Sequence, residues 1–332
     1  MIARRALALA ALLTAALPFP VTADDSVRDW LTRMEHATAS LSYRGTMVSV
    51  RDGQLDTLAV YHRVDDRGVR ERIVALNGPP REILRNHDAV QRLVSGDAPM
   101  VVDNPFPARL VPRIAFDVLD RPDALYRVRM AGGERVAGRA ARVIEIVPRD
   151  GFRYGRKLWL DARTAMLLRT QLLDAEGRVL QDLAFVNLEL GATIDEDELL
   201  PGLANPARVT RYRDADNAGG PAQAASQTPS WMPDTLPDGF RLVSVGRPLS
   251  GDEIEFEHLL FSDGLSSFSV YIEPVPDREI VEQLEAVGSM NVYTGRLGDR
   301  LVTVVGEVPP RTVQMIGQHV RRAEQPALRH FR

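Results

Sequence analysis

Cysteine is absent from all 332 residues of the chain. That removes disulfides, thiol nucleophiles and thiolate metal sites together, so stability has to come from core size alone. Lysine is nearly absent: the 41 basic residues include a single lysine, Lys157. A genomic composition bias accounts for this better than any function. A net charge of −4 is close to neutral for this length, so no nucleic-acid partner is expected. Long hydrophobic runs are missing except at the start, where Ala6–Leu17 follows Arg4 and Arg5 and leads to Val21-Thr22-Ala23. The run is shorter than the roughly 20 residues a span needs. It reads as a cleaved export signal, residues 1–23, rather than a membrane anchor.

Catalytic signatures are missing too. His36, His62, His87, His258, His319 and His330 form no HExxH or other i, i+4 pair. There is no G-x-S-x-G elbow, P-loop or dinucleotide fingerprint. The acidic run Asp195–Glu198 lacks the glycine and spacing of a calcium loop, and suits a helix N-terminus instead. The expectation is a binding protein with no catalytic residue, no metal and no cofactor.

What is present is strand. Ser26–Ser40 reads as an amphipathic helix, with Val27, Trp30, Leu31 and Met34 on one face and a capping box from Ser26 and Asp29. Tyr43–Arg51 and Gln54–His62 flank Asp52-Gly53, a strong hairpin signal. Val69–Leu76, Arg81–Arg85 and Ala89–Val94 continue an antiparallel meander. Residues 100–120, rich in proline, read as a loop with short helical turns. Leu125–Met130, Ala141–Val147, Arg156–Asp161, Ala165–Leu173 and Arg178–Leu190 resume the strands. Apolar residues fall on both parities of the last: Leu180, Ala184, Val186 and Leu188 against Val179, Leu183 and Phe185. Both faces of that sheet are therefore covered, or one lines a greasy cavity. Thr193–Leu200 is expected to be a short acidic helix.

Residues 214–229, almost without apolar bulk, read as a linker between a domain of residues 24–213 and a smaller one of residues 230–324, followed by a basic tail, 325–332. The smaller domain is expected to hold strands at Phe240–Arg247, Glu253–Phe261, Leu265–Glu273, Asn291–Thr294 and Arg300–Val305. It also holds a helix at Arg278–Val287 with Ile280, Val281, Leu284 and Val287 as its stripe, and a last helix from Pro309-Pro310 burying Val313, Ile316 and Val320.

Several long motifs carry a family resemblance. They are Tyr43-Arg44-Gly45-Thr46 with His62, Arg135-Val136-Ala137-Gly138-Arg139, Pro148, Asp150, Phe152-Arg153-Tyr154-Gly155, and Leu158-Trp159-Leu160-Asp161. In the small domain they are Ser262-Asp263-Gly264-Leu265, Ser269-Val270 and Val302–Pro309. Together they resemble the MucB/RseB family of periplasmic sigma-E regulators along essentially the whole mature chain. Some members carry a cysteine in the large domain; its absence here leaves a redox role unsupported.

The resemblance implies an α+β fold: a large N-terminal half-open antiparallel β-barrel with covering helices, like the lipoprotein carriers, plus a smaller C-terminal α+β domain. It implies a periplasmic regulator of the envelope stress response. Such a protein binds the periplasmic part of a membrane anti-sigma factor, shields it from site-1 proteolysis and is released by lipopolysaccharide or lipoprotein acyl chains. On that reading Met47, Leu58, Ile73, Leu93, Phe116, Trp159, Leu168 and Phe185 line the lipid cavity, although ordinary core packing is the better account of any one of them taken singly. Arg149, Arg153, Arg156 and Lys157 would meet lipid headgroups, or else be solvated strand-end charges. Phe268, Tyr271 and Glu273 are the candidate exposed partner-binding residues. A periplasmic lipoprotein or lipid carrier is the rival reading, and homo-oligomerisation is left open.

Overall fold

The computed structural model describes residues 26–87, 89–95, 125–204, 206–213, 228–246, 256–275 and 280–323. The expected leader, the proline-rich loop with Phe116, nearly all of the expected linker and the basic tail lie outside them.

Helix α1, Val27–Ser40, opens on the expected capping box: the Ser26 hydroxyl accepts from the Asp29 N–H while the Asp29 carboxylate accepts from the Ser26 N–H. Trp30, Leu31, Met34 and Ala37 are its buried face. Eleven antiparallel strands follow: β1 Tyr43–Arg51, β2 Gln54–Asp65, β3 Gly68–Ala75, β4 Arg81–Asn86, β5 Ala89–Val94, β6 Tyr126–Val136, β7 Arg139–Pro148, β8 Gly155–Asp161, β9 Leu167–Leu173, β10 Val179–Leu190 and β11 Arg208–Arg213. Their order is β11-β5-β4-β3-β2-β1-β10-β9-β8-β7-β6. Two meanders, β1–β5 and β6–β10, are therefore joined by β10 pairing with β1, from Tyr43 opposite Leu190 to Arg51 opposite Gln181. β11 and β6 remain as edges, so the sheet is half-open rather than a closed barrel.

Both faces of this sheet are apolar and covered at β7 and β8, but not along β10, whose Val179 and Val186 stay 49% and 54% exposed. On β7 and β8, Ile144, Ile146, Leu158 and Leu160 pack against Trp30, Leu31 and Met34 of α1. The alternate residues Ala141, Val143 and Trp159 point the other way and join Val136 and Leu168. A third cluster gathers Tyr43, Met47, Leu58, Val60, Ile73, Ile83, Val90, Met166, Leu183 and Phe185.

The smaller C-terminal part begins with β12, Trp231–Pro233. Its main sheet comprises β13 Arg241–Gly246, β14 Glu257–Ser262, β15 Ser267–Pro274, β16 Gln283–Val287, β17 Met290–Leu297 and β18 Arg300–Gly306, in the order β13-β14-β15-β18-β17-β16. Helix α2, Pro310–Gln318, follows, and β19, Val320–Arg322, pairs with β12. Val313 and Ile316 of α2 close the core over Phe261, Phe268, Val270, Ile272, Val302 and Val304.

Three expectations need correction. Arg278–Val287 is not a helix where it is described: Ile280–Glu282 are irregular and Gln283–Val287 is the edge strand β16. Gly288 at φ +66° makes the tight turn into β17, with Val287 opposite Met290. The apolar stripe finds no core to face, and Val281 stays 70% exposed. The acidic helix at Thr193–Leu200 shrinks to one 3-10 turn, Asp197–Leu199. Arginines of the sheet draw its carboxylates instead: Arg63 and Arg70 bond Glu196, and Arg44 bonds Glu198. Val320 is buried as expected, but on β19 rather than on the last helix.

Candidate functional site

The expected cavity residues fall into two adjoining groups. Met47, Leu58, Ile73 and Phe185 share one cluster, Trp159 and Leu168 the other, and Ala137 and Leu188 touch both. Leu93 is buried as well. A crevice along the first of these clusters is lined by Tyr43, Met47, Met166, Leu167, Arg169, Thr170, Leu183 and Phe185, and is too narrow for a water-sized sphere. Beside it His62 stacks on Tyr43, with ring centroids 4.6 Å apart, and bonds Glu71 through Nδ1 at 3.1 Å. Burial, and next the Glu71 charge, push the Tyr43 phenol far above its ordinary range.

Trp159 lies under charge. Its indole N–H donates to Glu134 at 2.9 Å, and Arg169 and Lys157 sit 4.5 and 4.9 Å from its ring. Arg169 is itself held by Asp182, and Lys157 lies 3.7 Å from Glu134. Among the four expected headgroup residues, Arg149 is exposed.

Arg153 and Arg156 are not solvated at a rim. They are built into the junction between the two sheets. Arg153 is fully buried: Nε donates to Asp263 Oδ2 at 2.7 Å, Nη1 to Asp150, and Nη2 to the Asp238 carbonyl. Its guanidinium lies 4.9 Å from the Phe240 ring centroid. The Tyr126 hydroxyl donates to the same Asp263 oxygen at 2.7 Å. Burial, followed by the Asp263 charge, drives the Tyr126 phenol far above its usual range. Asp263 Oδ1 meanwhile accepts from the Leu265 and Ser266 N–H groups at 2.8 and 2.7 Å, which sets the β14–β15 turn. Leu265, at that tip, packs into the cluster of α1 and β6–β8.

A second set of contacts runs alongside. Asn291 donates to the Tyr154 hydroxyl at 3.0 Å, Thr312 to the Phe152 carbonyl at 2.9 Å, and Arg156 to Glu307 at 2.7 Å. Arg311 donates to the Gly151 carbonyl and stacks 4.5 Å from the Phe152 ring. The polar turn Arg149–Arg156 is thus a socket for the C-terminal sheet. Sequence reasoning missed this, although both halves, Phe152-Arg153-Tyr154 and Ser262-Asp263-Gly264-Leu265, are motifs of the resemblance. The signal available in the sequence was one charge of opposite sign in each motif, Arg153 and Asp263.

Family models describing the MucB/RseB N-terminal domain and the MucB/RseB C-terminal domain match residues 26–203 and 225–321. The chain belongs to the MucB/RseB family. It is 35% identical over 329 residues to the sigma factor AlgU regulatory protein MucB of Pseudomonas aeruginosa, covering 96% of this chain and 98% of that one. It is 29% identical over 303 residues to the sigma-E factor regulatory protein RseB of Salmonella typhimurium, covering 90% and 92%. A crystal structure of MucB in complex with MucA(peri) superposes with a TM-score of 0.70 at 30% identity, covering 90% of this chain and all of that one. These MucB/RseB relatives are named as regulators of a sigma factor, not as enzymes.

Within this MucB/RseB fold the three expected partner-binding residues do not share a face. Phe268 is buried at 1% exposure between Phe240 and Phe261, at centroid distances of 5.0 and 5.1 Å. The expectation that it is exposed is corrected by strand parity: residues three apart on β15 point to opposite faces. Tyr271 and Glu273 lie half-buried on the face away from α2, with Tyr271 stacked 4.5 Å from His258.

Proposed function

We propose that this chain is a periplasmic, non-catalytic regulator of an envelope stress response. It holds the periplasmic part of a membrane anti-sigma factor, shields it from site-1 proteolysis, and lets go when lipopolysaccharide or a lipoprotein acyl chain binds. The observation that carries this reading is the likeness to MucB solved with MucA(peri), extending over the full length of that chain. Residues 1–23 serve as its cleaved leader, and residues 24–213 and 230–324 as its two domains.

Met47, Leu58, Ile73, Leu93, Trp159, Leu168 and Phe185 form the apolar wall for the acyl chain. Each buried CH₂ contributes about 0.8 kcal/mol, so a partly inserted chain competes with a protein contact of a few kcal/mol. The narrow crevice at Tyr43 and Phe185 has to widen for this. Arg149 and Lys157 remain the headgroup contacts, because Arg153 and Arg156 are spent on the junction.

The partner contact is placed on Tyr271 and Glu273. The check is a pull-down of the anti-sigma periplasmic segment by the full-length protein carrying Tyr271→Ala with Glu273→Ala. A loss of affinity of about tenfold or more is expected from removing an interfacial aromatic anchor. Unchanged affinity sinks the placement. Failure of the unsubstituted protein to bind the segment, or retention of bound segment under saturating lipopolysaccharide, sinks the corresponding part of the function.

A further inference from the structure

The β14–β15 tip presents two chemical features to the large sheet: a carboxylate and, two residues on, an alkyl group. The surface that receives them is a matched pair. Arg153 and Tyr126 both reach Asp263 Oδ2 at 2.7 Å, and the apolar cluster of Trp30, Leu31, Ile146 and Leu158 takes Leu265. Arg153 and Asp263 have no solvent-exposed side-chain surface. Asp150, on the same turn as Arg153, holds the guanidinium from its own side of the junction.

A buried charge pair of this kind does not open by degrees. Pulling the tip back partway would leave each charge dry and unmatched, whereas full separation rehydrates both. Opening of the junction is therefore expected to be all-or-none, between docked and undocked. The tip and its receptor belong to one chain, so they meet at an effective concentration on the order of millimolar.

We infer that Arg153, Tyr126 and the Leu265 socket constitute a binding site for an alkyl carboxylate, which the hairpin tip 262–266 fills in cis. A free ligand of that class competes with the tip and undocks the small domain. Weakening the tip strengthens the ligand's hand, and removing the guanidinium abolishes the preference for an anionic head. This site is distinct from the apolar wall proposed above and does not depend on the anti-sigma reading.

The cysteine-free chain permits a direct test. Val179→Cys and Val281→Cys place one label on each part at exposed positions, 49% and 70% exposed. The distance between the labels is measured by double electron–electron resonance while octanoate, below its micellar range, is titrated into the full chain. The same titration is run with octanol and in a Leu265→Ala background. Octanoate is expected to populate a second, longer distance. Leu265→Ala should lower the concentration needed by about tenfold or more, as expected for loss of a buried leucine contact. Octanol should have little effect, and Arg153→Met with Asp263→Leu, both added to Leu265→Ala so that no lone charge opens the junction, should erase the difference between the two ligands. Circular dichroism on each variant separates undocking from unfolding. An unchanged distance at every octanoate concentration, in both backgrounds, overturns the site. So does an equal response to octanol, or an octanoate preference that survives Arg153→Met with Asp263→Leu. No anti-sigma segment is present in any arm, so a negative result leaves the proposed function standing.

Discussion

His258 on β14 packs its ring on Tyr271 and reaches Ser269 through Nε2 at 2.9 Å. Burial lowers its pKa below the ordinary histidine value, because the charged ring is poorly solvated there. The unfolded chain then binds more protons than the folded one between the depressed folded value and about 6.5. Stability contributed by the neutral ring is present above that window and is lost as the pH falls through it. Urea unfolding at pH 7 and pH 5 is expected to show a lower midpoint at pH 5. His258→Gln should reduce the difference between the two midpoints. An identical pH dependence in the variant would show that the ring does not titrate on unfolding. Phe268, three residues before Tyr271, shows how sharply parity divides neighbours. One ring is core between two phenylalanines and the other stands half-exposed on the opposite face.

Strands β1 and β10 carry the pairing that turns two meanders into one sheet. Gly45 leaves no room for a side chain against β10: a Cβ there would lie 2.5 Å from the Asn187 carbonyl oxygen and 3.1 Å from the Phe185 ring. Backbone cannot step aside as a flexible side chain can. Gly45→Ala is expected to cost about 1–3 kcal/mol by overpacking, read as a lower urea midpoint with an unchanged slope. Wild-type stability in that variant would mean that β10 shifts freely against β1. The hairpins within each meander were legible because their signals are local. Asp52-Gly53 turns β1 into β2, with both residues at positive φ. β16 was misread because its apolar spacing suits a helix as well as a strand. Only the Gly288-Ser289 turn and pairing with β17 decide between them.

At the scale of the whole molecule, the Arg153–Asp263 pair joins parts 110 residues apart in the chain. Removing one partner should cost more than removing both, since a lone buried charge is worse than an apolar contact. Asp263→Leu alone is expected to destabilise docking by about 3–5 kcal/mol, seen as faster proteolysis between the two sheets and an earlier urea transition. Arg153→Met combined with Asp263→Leu should recover most of that loss. Additive losses in the double variant would indicate that the two charges are not coupled. The candidate site was half-legible. The apolar positions Met47, Leu58, Ile73, Trp159, Leu168 and Phe185 are buried, yet in two clusters rather than around one open cavity. The basic turn was visible as a cluster, but its use was not, because its acceptors lie in the other half of the chain.

The amino-acid sequence by itself determined the capped N-terminal helix, the tight hairpins and the family. Each of these is written in residues within about a dozen positions of one another, or in motifs long enough to be read directly. Only the tertiary structure decided that β10 pairs with β1 and that Phe268 is core. It also decided that Glu196 and Glu198 serve the sheet's arginines, and that Arg153 is the centre of a domain junction. Those outcomes depend on which distant surface arrives to desolvate a group. A charged side chain carries no mark in its own neighbourhood that says whether water or an aspartate 110 residues away will answer it.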